Sequence, residues 1–128
     1  MVTLEDYTLS KPPSVALASI GDLRAALTSF AAKPPGVIQL TFAEGVELLV
    51  GIGGPFMMAQ FTEADGDGPF LCAKAPVVQA TADVEFDCGG TLSPIPPELC
   101  LSVDDGLKIV EYFFETGKRA PDFEWEMI

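Results

Sequence analysis

The sequence predicts an α+β fold, an antiparallel sheet of five to seven strands with two helices packed on one face. Three observations lead there. Between Gly36 and Cys88 the apolar residues fall in short runs of strand length, separated by glycine, proline and aspartate. Two other stretches, around Ile20 to Phe30 and Leu107 to Phe114, space their apolar residues three and four apart, the period of a helix. The gaps between the apolar runs are too short for parallel crossovers, so neighbouring strands are expected to form hairpins.

Taken in order, the chain opens on a polar segment containing Lys11-Pro12-Pro13. The run SVALAS that follows fits either a short strand or the lead-in to a helix. Ile20, Leu23, Leu27 and Phe30 then mark a first helix, with Ser19 as N-cap, Asp22 three residues on, and Pro34-Pro35 to end it. Strands are expected at VIQLTF (37–42), VELLVGI (46–52), FMMAQFTE (56–63), FLCAKA (70–75) and DVEFDC (83–88). In the last of these Val84, Phe86 and Cys88 alternate with Asp83, Glu85 and Asp87. One face is therefore apolar and the other carries three carboxylates about 7 Å apart. The prolines of SPIPPELCLS exclude a regular central strand up to Glu98. Ser102 is expected to cap a second helix, with Asp104 and Asp105 favourably placed near its positive end. Leu107, Val110, Phe113 and Phe114 are its expected buried stripe, and Gly117 its left-handed stop ahead of Pro121. FEWEM reads as a closing strand with Phe123, Trp125 and Met127 on one face.

At 128 residues, with 48% of them hydrophobic, the chain is expected to form one domain spanning 1–128 around a single core. No apolar run reaches the roughly 18 residues of a membrane helix. The first residues, MVTLEDYTLS, lack the pattern of a signal peptide, so the cytoplasm is the expected location. Nineteen acids against seven bases leave a net charge of −12. The first 43 residues are neutral; residues 44–97 carry a balance of −7, Glu63, Asp65, Asp67, Asp83, Glu85 and Asp87 among their acids, and residues 98–128 a balance of −5. Such a field repels nucleic acid and anionic membranes and attracts a basic protein. Acidity also keeps a small protein soluble, which is the plainer reading of the same number.

Catalytic readings fail for want of residues. The chain has no histidine, so no Ser-His-Asp or Cys-His arrangement can form. Three cysteines at wide spacings, Cys72, Cys88 and Cys100, provide neither a disulfide framework nor a zinc knuckle, and reduced thiols are expected. DGDG (65–68) opens like a calcium loop but lacks the remaining ligands, and GIGGP (51–55) is glycine-rich without the lysine of a phosphate loop. Both read as turns. The acidic strand face could raise the pKa of its members, as a general acid requires, yet it is far more simply a solvated face. The expectation is a protein that is not an enzyme and has no metal and no cofactor.

The segment GTLSPIPPELCLSVDDGLKIVEYFFETGKRAPDFEWEMI resembles the first-numbered immunity-protein family of bacterial polymorphic toxin systems. The resemblance is carried by Ser102, Leu107, Phe113 or Phe114, Thr116, Gly117, Arg119, Pro121 and Trp125. Two departures stand out: Ala120 separates Arg119 from Pro121, and Gly106 lies inside the helix. What the resemblance implies is a cytoplasmic immunity protein that binds and neutralises a cognate toxin domain. The toxins of such systems are often nucleic-acid-directed enzymes, deaminases and nucleases among them, and a basic substrate groove would suit an acidic inhibitor. From charge and strand alternation, the expected toxin contacts are Glu63, Asp65, Asp67, Asp83, Glu85 and Asp87, with Phe70 as an apolar anchor. The expected partner is a protein rather than nucleic acid or membrane, bound by a monomer or weak homodimer. A rival reading is an acidic DNA mimic or regulatory adaptor for a host basic protein. A small-molecule-binding domain would instead need a roomy apolar pocket.

Overall fold

Among the residues that the computed structural model describes (2–43, 45–63 and 69–128), the chain forms ten strands and two α-helices. They are β1 (Val2–Asp6), β2 (Ser14–Leu17), α1 (Ile20–Ala31), β3 (Gly36–Ala43), β4 (Val46–Ile52), β5 (Phe56–Thr62), β6 (Phe70–Ala73), β7 (Val84–Cys88), β8 (Thr91–Ile95), β9 (Leu101–Ser102), α2 (Val103–Thr116) and β10 (Trp125–Met127). Seven strands make one continuous antiparallel path in the order β10-β6-β5-β4-β3-β1-β2. The β7–β8 hairpin joins it through one parallel pairing, Gly36 with Asp87. β9 pairs with the start of β5.

The α+β class and the antiparallel sheet match the sequence-based expectation, but ten strands exceed the expected five to seven. SVALAS resolves as a strand, β2, on the edge of the sheet. β1 pairs with both β2 and β3. β8 forms although it contains Pro94, because it pairs with β7 alone and the missing N–H interrupts no second ladder. β9 is two residues long and exists only through its partner β5.

Both helices begin and end as local chemistry requires. Ser19 Oγ accepts the Asp22 N–H at 3.1 Å, while the Asp22 carboxylate accepts the Ala18 N–H at 3.0 Å. Ser102 Oγ accepts the Asp105 N–H at 3.2 Å. Gly117 takes φ of 70° and donates its N–H to the Phe113 carbonyl at 2.7 Å, and a side chain there would run into the Phe42 ring.

The buried stripe of α2 is rotated from the expected one. Gly106, Ile109, Val110 and Phe113 are buried, whereas Leu107 and Phe114 are only half-buried. Gly106 is the reason: a Cβ there would lie 2.6 Å from Met57 Sδ and 2.7 Å from Met57 Cβ, so its absence lets α2 settle directly onto β5. Phe113 fills the centre of the core, with Phe42 and Phe61 edge-on at 6.1 and 6.2 Å. Leu23 and Leu27 of α1 join the same core, so both helices lie on one side of the sheet.

The other side is covered only in part. Phe86 of β7, fully buried, packs with Val37 and Met58 over Gly51, where a Cβ would come within 2.9 Å of the ring. The hairpin thus caps one end of the helix-free face. β10 departs from expectation as well: Trp125 is half-buried against Phe61 at 6.4 Å, but Met127 is 68% exposed, because β10 is an edge strand and the helices stop short of it.

Candidate functional site

The acidic residues singled out from the sequence fall into two groups. Asp83 and Glu85 are exposed on the hairpin, their side of β7 turned away from Phe86, with Glu85 paired across to Pro94. Asp87 is half-buried and fastened: its Oδ1 accepts the Gly90 N–H at 2.8 Å across the turn, and its backbone N–H donates to the Pro35 carbonyl at 3.0 Å. Its carboxylate shapes the turn into β8.

Glu63 and Phe70 form the second group, flanking the connection from β5 to β6. Glu63 is exposed. Phe70 is half-buried, paired with Thr62, and its carbonyl accepts the Ile128 N–H at 3.0 Å. Asp65 and Asp67 lie outside the described residues. Thr62 pairs with Glu47 and Glu47 with Thr41, whereas Asp87 pairs with Gly36. Gly36 and Thr41 are five residues apart on β3, roughly 17 Å along the strand. The two groups therefore sit at opposite ends of the sheet, with the helix-free face between them.

Strand acids missed by sequence reasoning lie on or beside that face. Among the described residues the ten strands contain Glu5, Asp6, Glu47, Glu85, Asp87 and Glu126 but no Lys or Arg. All seven bases, Lys11, Arg24, Lys33, Lys74, Lys108, Lys118 and Arg119, are in helices or connections. Glu47 accepts from the Gln39 amide, its diagonal neighbour across β3 and β4. Glu5 and Glu47 are both half-buried. Tyr7 lies near them, and burial first, then these two carboxylates, push its hydroxyl above the usual tyrosine range. The signal for these residues was present as the alternation of VTLED and VELLV, but single acids in apolar runs do not stand out as a cluster.

The cysteines remain unpaired thiols. Burial raises Cys72 to about 11, and Cys100 upward as well, so neither is primed as a nucleophile. Among the described residues no group of three or more metal-ligating side chains comes together. An apolar groove of about 390 Å³ runs between α1 and α2 over Ile52 and Met57. Its rim carries the Arg24–Glu111 ion pair at 3.0 Å, whose two members neutralise each other. No helix among the described residues is long and apolar enough to cross a membrane.

Most of the residues that carried the family resemblance lie where α2 ends and the chain leads into β10, with Ser102 at the opposite end of the helix. Ser102 caps α2, and Thr116 Oγ1 donates to the Tyr112 carbonyl at 2.7 Å. Gly117 makes room for Phe42, Arg119 lies over the Phe61 ring at 5.7 Å, and Trp125 Nε1 donates to the Ala120 carbonyl at 3.1 Å. Ala120, one of the two departures, is itself buried and receives that bond.

Fold and surface together define an acidic α+β protein whose strands, among the described residues, carry carboxylates and no Lys or Arg. The chain belongs to the Imm1 family: the family model described as Immunity protein Imm1 matches residues 12–127. Comparison with curated proteins finds no match.

Proposed function

We propose that this protein binds a cognate bacterial toxin domain in the cytoplasm and blocks it by covering its active cleft, with no chemistry of its own. The family match over residues 12–127 carries this reading. The charge supports it. A toxin that acts on nucleic acid needs a basic cleft, and carboxylates facing that cleft would stand where phosphates stand. The proposed contacts are Glu63, Asp65, Asp67, Phe70, Asp83, Glu85 and Asp87. The partner is the toxin protein, not nucleic acid or membrane, and the protein acts as a monomer or weak homodimer, a single domain over 1–128.

The test uses the purified protein and the toxin domain encoded beside its gene. The two should form a nanomolar or tighter complex that weakens as salt rises, and the toxin's activity should fall in step with complex formation. Absence of a complex at micromolar concentrations, or a complex that leaves the toxin fully active, overturns the reading.

A further inference from the structure

We infer that the helix-free face of the sheet, centred on Glu47 and Glu5, is the surface on which a basic protein partner docks. The inference rests on the immunity reading above and goes further by naming the face and its central residues.

Strand register places the face. Glu5, Gln39, Leu49 and Gln60 are consecutive cross-strand neighbours on β1, β3, β4 and β5, and Thr3, Thr41, Glu47 and Thr62 form the adjoining row. Their alternate neighbours, Leu4, Leu40, Leu48, Val50, Ala59 and Phe61, all point into the helix-side core. The face therefore turns away from both helices, and the β7–β8 hairpin covers only its other end, over Gly51 and Met58. From β1 to β6 it spans four inter-strand gaps, roughly 19 Å.

Charge selects the occupant. The protein's acids are not confined to this side, since α2 exposes Asp104 and Glu115. On the helix side, however, acids are interleaved with Lys108, Lys118 and Arg119, and Arg24 holds Glu111. The strands offer carboxylates with no base among them. Lys74 lies beyond the end of β6, 3.9 Å from Glu124, Lys11 in the connection from β1 to β2, and Arg119 over the Phe61 ring on the helix side. A positive surface approaching the sheet side meets no like charge within the strands, whereas one approaching α2 does.

The face is also set in advance. Gln39 holds Glu47, and the neighbouring side chains are short or half-buried in the sheet, so less rotamer freedom is lost on binding than on an exposed helix. Leu49 and Tyr7, both half-buried and packed on the Phe86 cluster, add apolar area beside the carboxylates. Covering this face would also bring one partner against both acidic groups at the ends of the sheet.

The experiment compares two charge reversals of equal size in the full chain, with the toxin domain encoded beside its gene as the probe. One is Glu5→Lys with Glu47→Lys on the sheet face; the other is Asp104→Lys with Glu115→Lys on α2. The sheet-face reversal should weaken binding roughly a hundredfold or more, the α2 reversal less than about threefold. In parallel, carbodiimide labelling of the native protein, read by mass spectrometry, should show Glu5 and Glu47 protected in the complex while Asp104 and Glu115 stay reactive. That second measurement stands even if a variant fails to fold. Protection of the α2 acids instead, or a sheet-face variant that folds and binds normally, overturns the docking face and leaves the immunity reading standing. A native protein that binds no toxin overturns both.

Discussion

The same substitution should have opposite effects in the two helices. Glycine within a helix usually costs about 1 kcal/mol relative to alanine, so Gly→Ala normally stabilises. Gly106→Ala should do the reverse. The new methyl would lie 2.6 Å from Met57 Sδ, 2.7 Å from Met57 Cβ and 3.0 Å from Met57 Cε. The Cβ contact is the decisive one, because that atom is fixed to β5 and cannot rotate away as the thioether can. Overpacking of this kind costs about 1–3 kcal/mol, and contact with a fixed atom puts it at the upper end. After the helix-propensity gain, the net loss is about 2 kcal/mol, or roughly 8 °C in Tm for a chain of this size. Gly21→Ala is the control. Gly21 is in the first turn of α1, its added methyl meets only Ser19 Oγ at 3.6 Å, and it should gain about 0.5 kcal/mol. Urea denaturation followed by circular dichroism measures both. If Gly106→Ala stabilises as Gly21→Ala does, α2 does not rest on Met57 and the account of its rotated stripe is wrong.

Two further outcomes follow from the site description. Trp125→Phe keeps the ring against Phe61 but removes the Nε1 donor to the Ala120 carbonyl, and should cost about 1–2 kcal/mol while leaving toxin affinity unchanged; circular dichroism must report it, since Trp125 is the sole tryptophan. Cys72 should shape the alkaline limb of the stability curve. Its thiol ionises near 9 when unfolded and near 11 when folded, so the native state holds the proton longer. The stabilisation is complete below about pH 9 and is lost as pH rises toward about 11. The Cys72→Ala variant should therefore lose less of its denaturation midpoint than the native protein between about pH 8 and pH 10.5, and equal losses would refute the assignment.

What was legible in the sequence was local. Ser19 with Asp22, and Ser102 with Asp105, lie three residues apart, so each capping bond is a property of a short segment wherever it sits. Gly117 could be recognised as a helix stop for the same reason. Phe86 and its flanking acids declared an apolar and a charged side of β7 by alternation alone. Trp125 could be assigned to structure, and the family resemblance rested largely on the joint between α2 and β10. Segregation of charge was half visible: the acids could be counted by segment, but not assigned to a face.

Contacts between distant segments decided the rest. β9 is too short to be read from its own residues and forms because β5 offers it an edge. Pro94 argued against a central strand, and β8 is not one: it pairs with β7 alone, where the missing donor is not required. The stripe of α2 is turned by Met57, a residue on another element. Glu5, Gln39 and Glu47 share one surface only because β1, β3 and β4 pair in a particular register, and a shift of one residue would send those side chains to the opposite face. Local sequence was enough to place both helices and the strands of clear alternation, and composition alone makes the molecule acidic. Which side of the sheet the helices leave open was set by long-range packing, because packing, unlike capping, depends on atoms that the chain brings together from far apart.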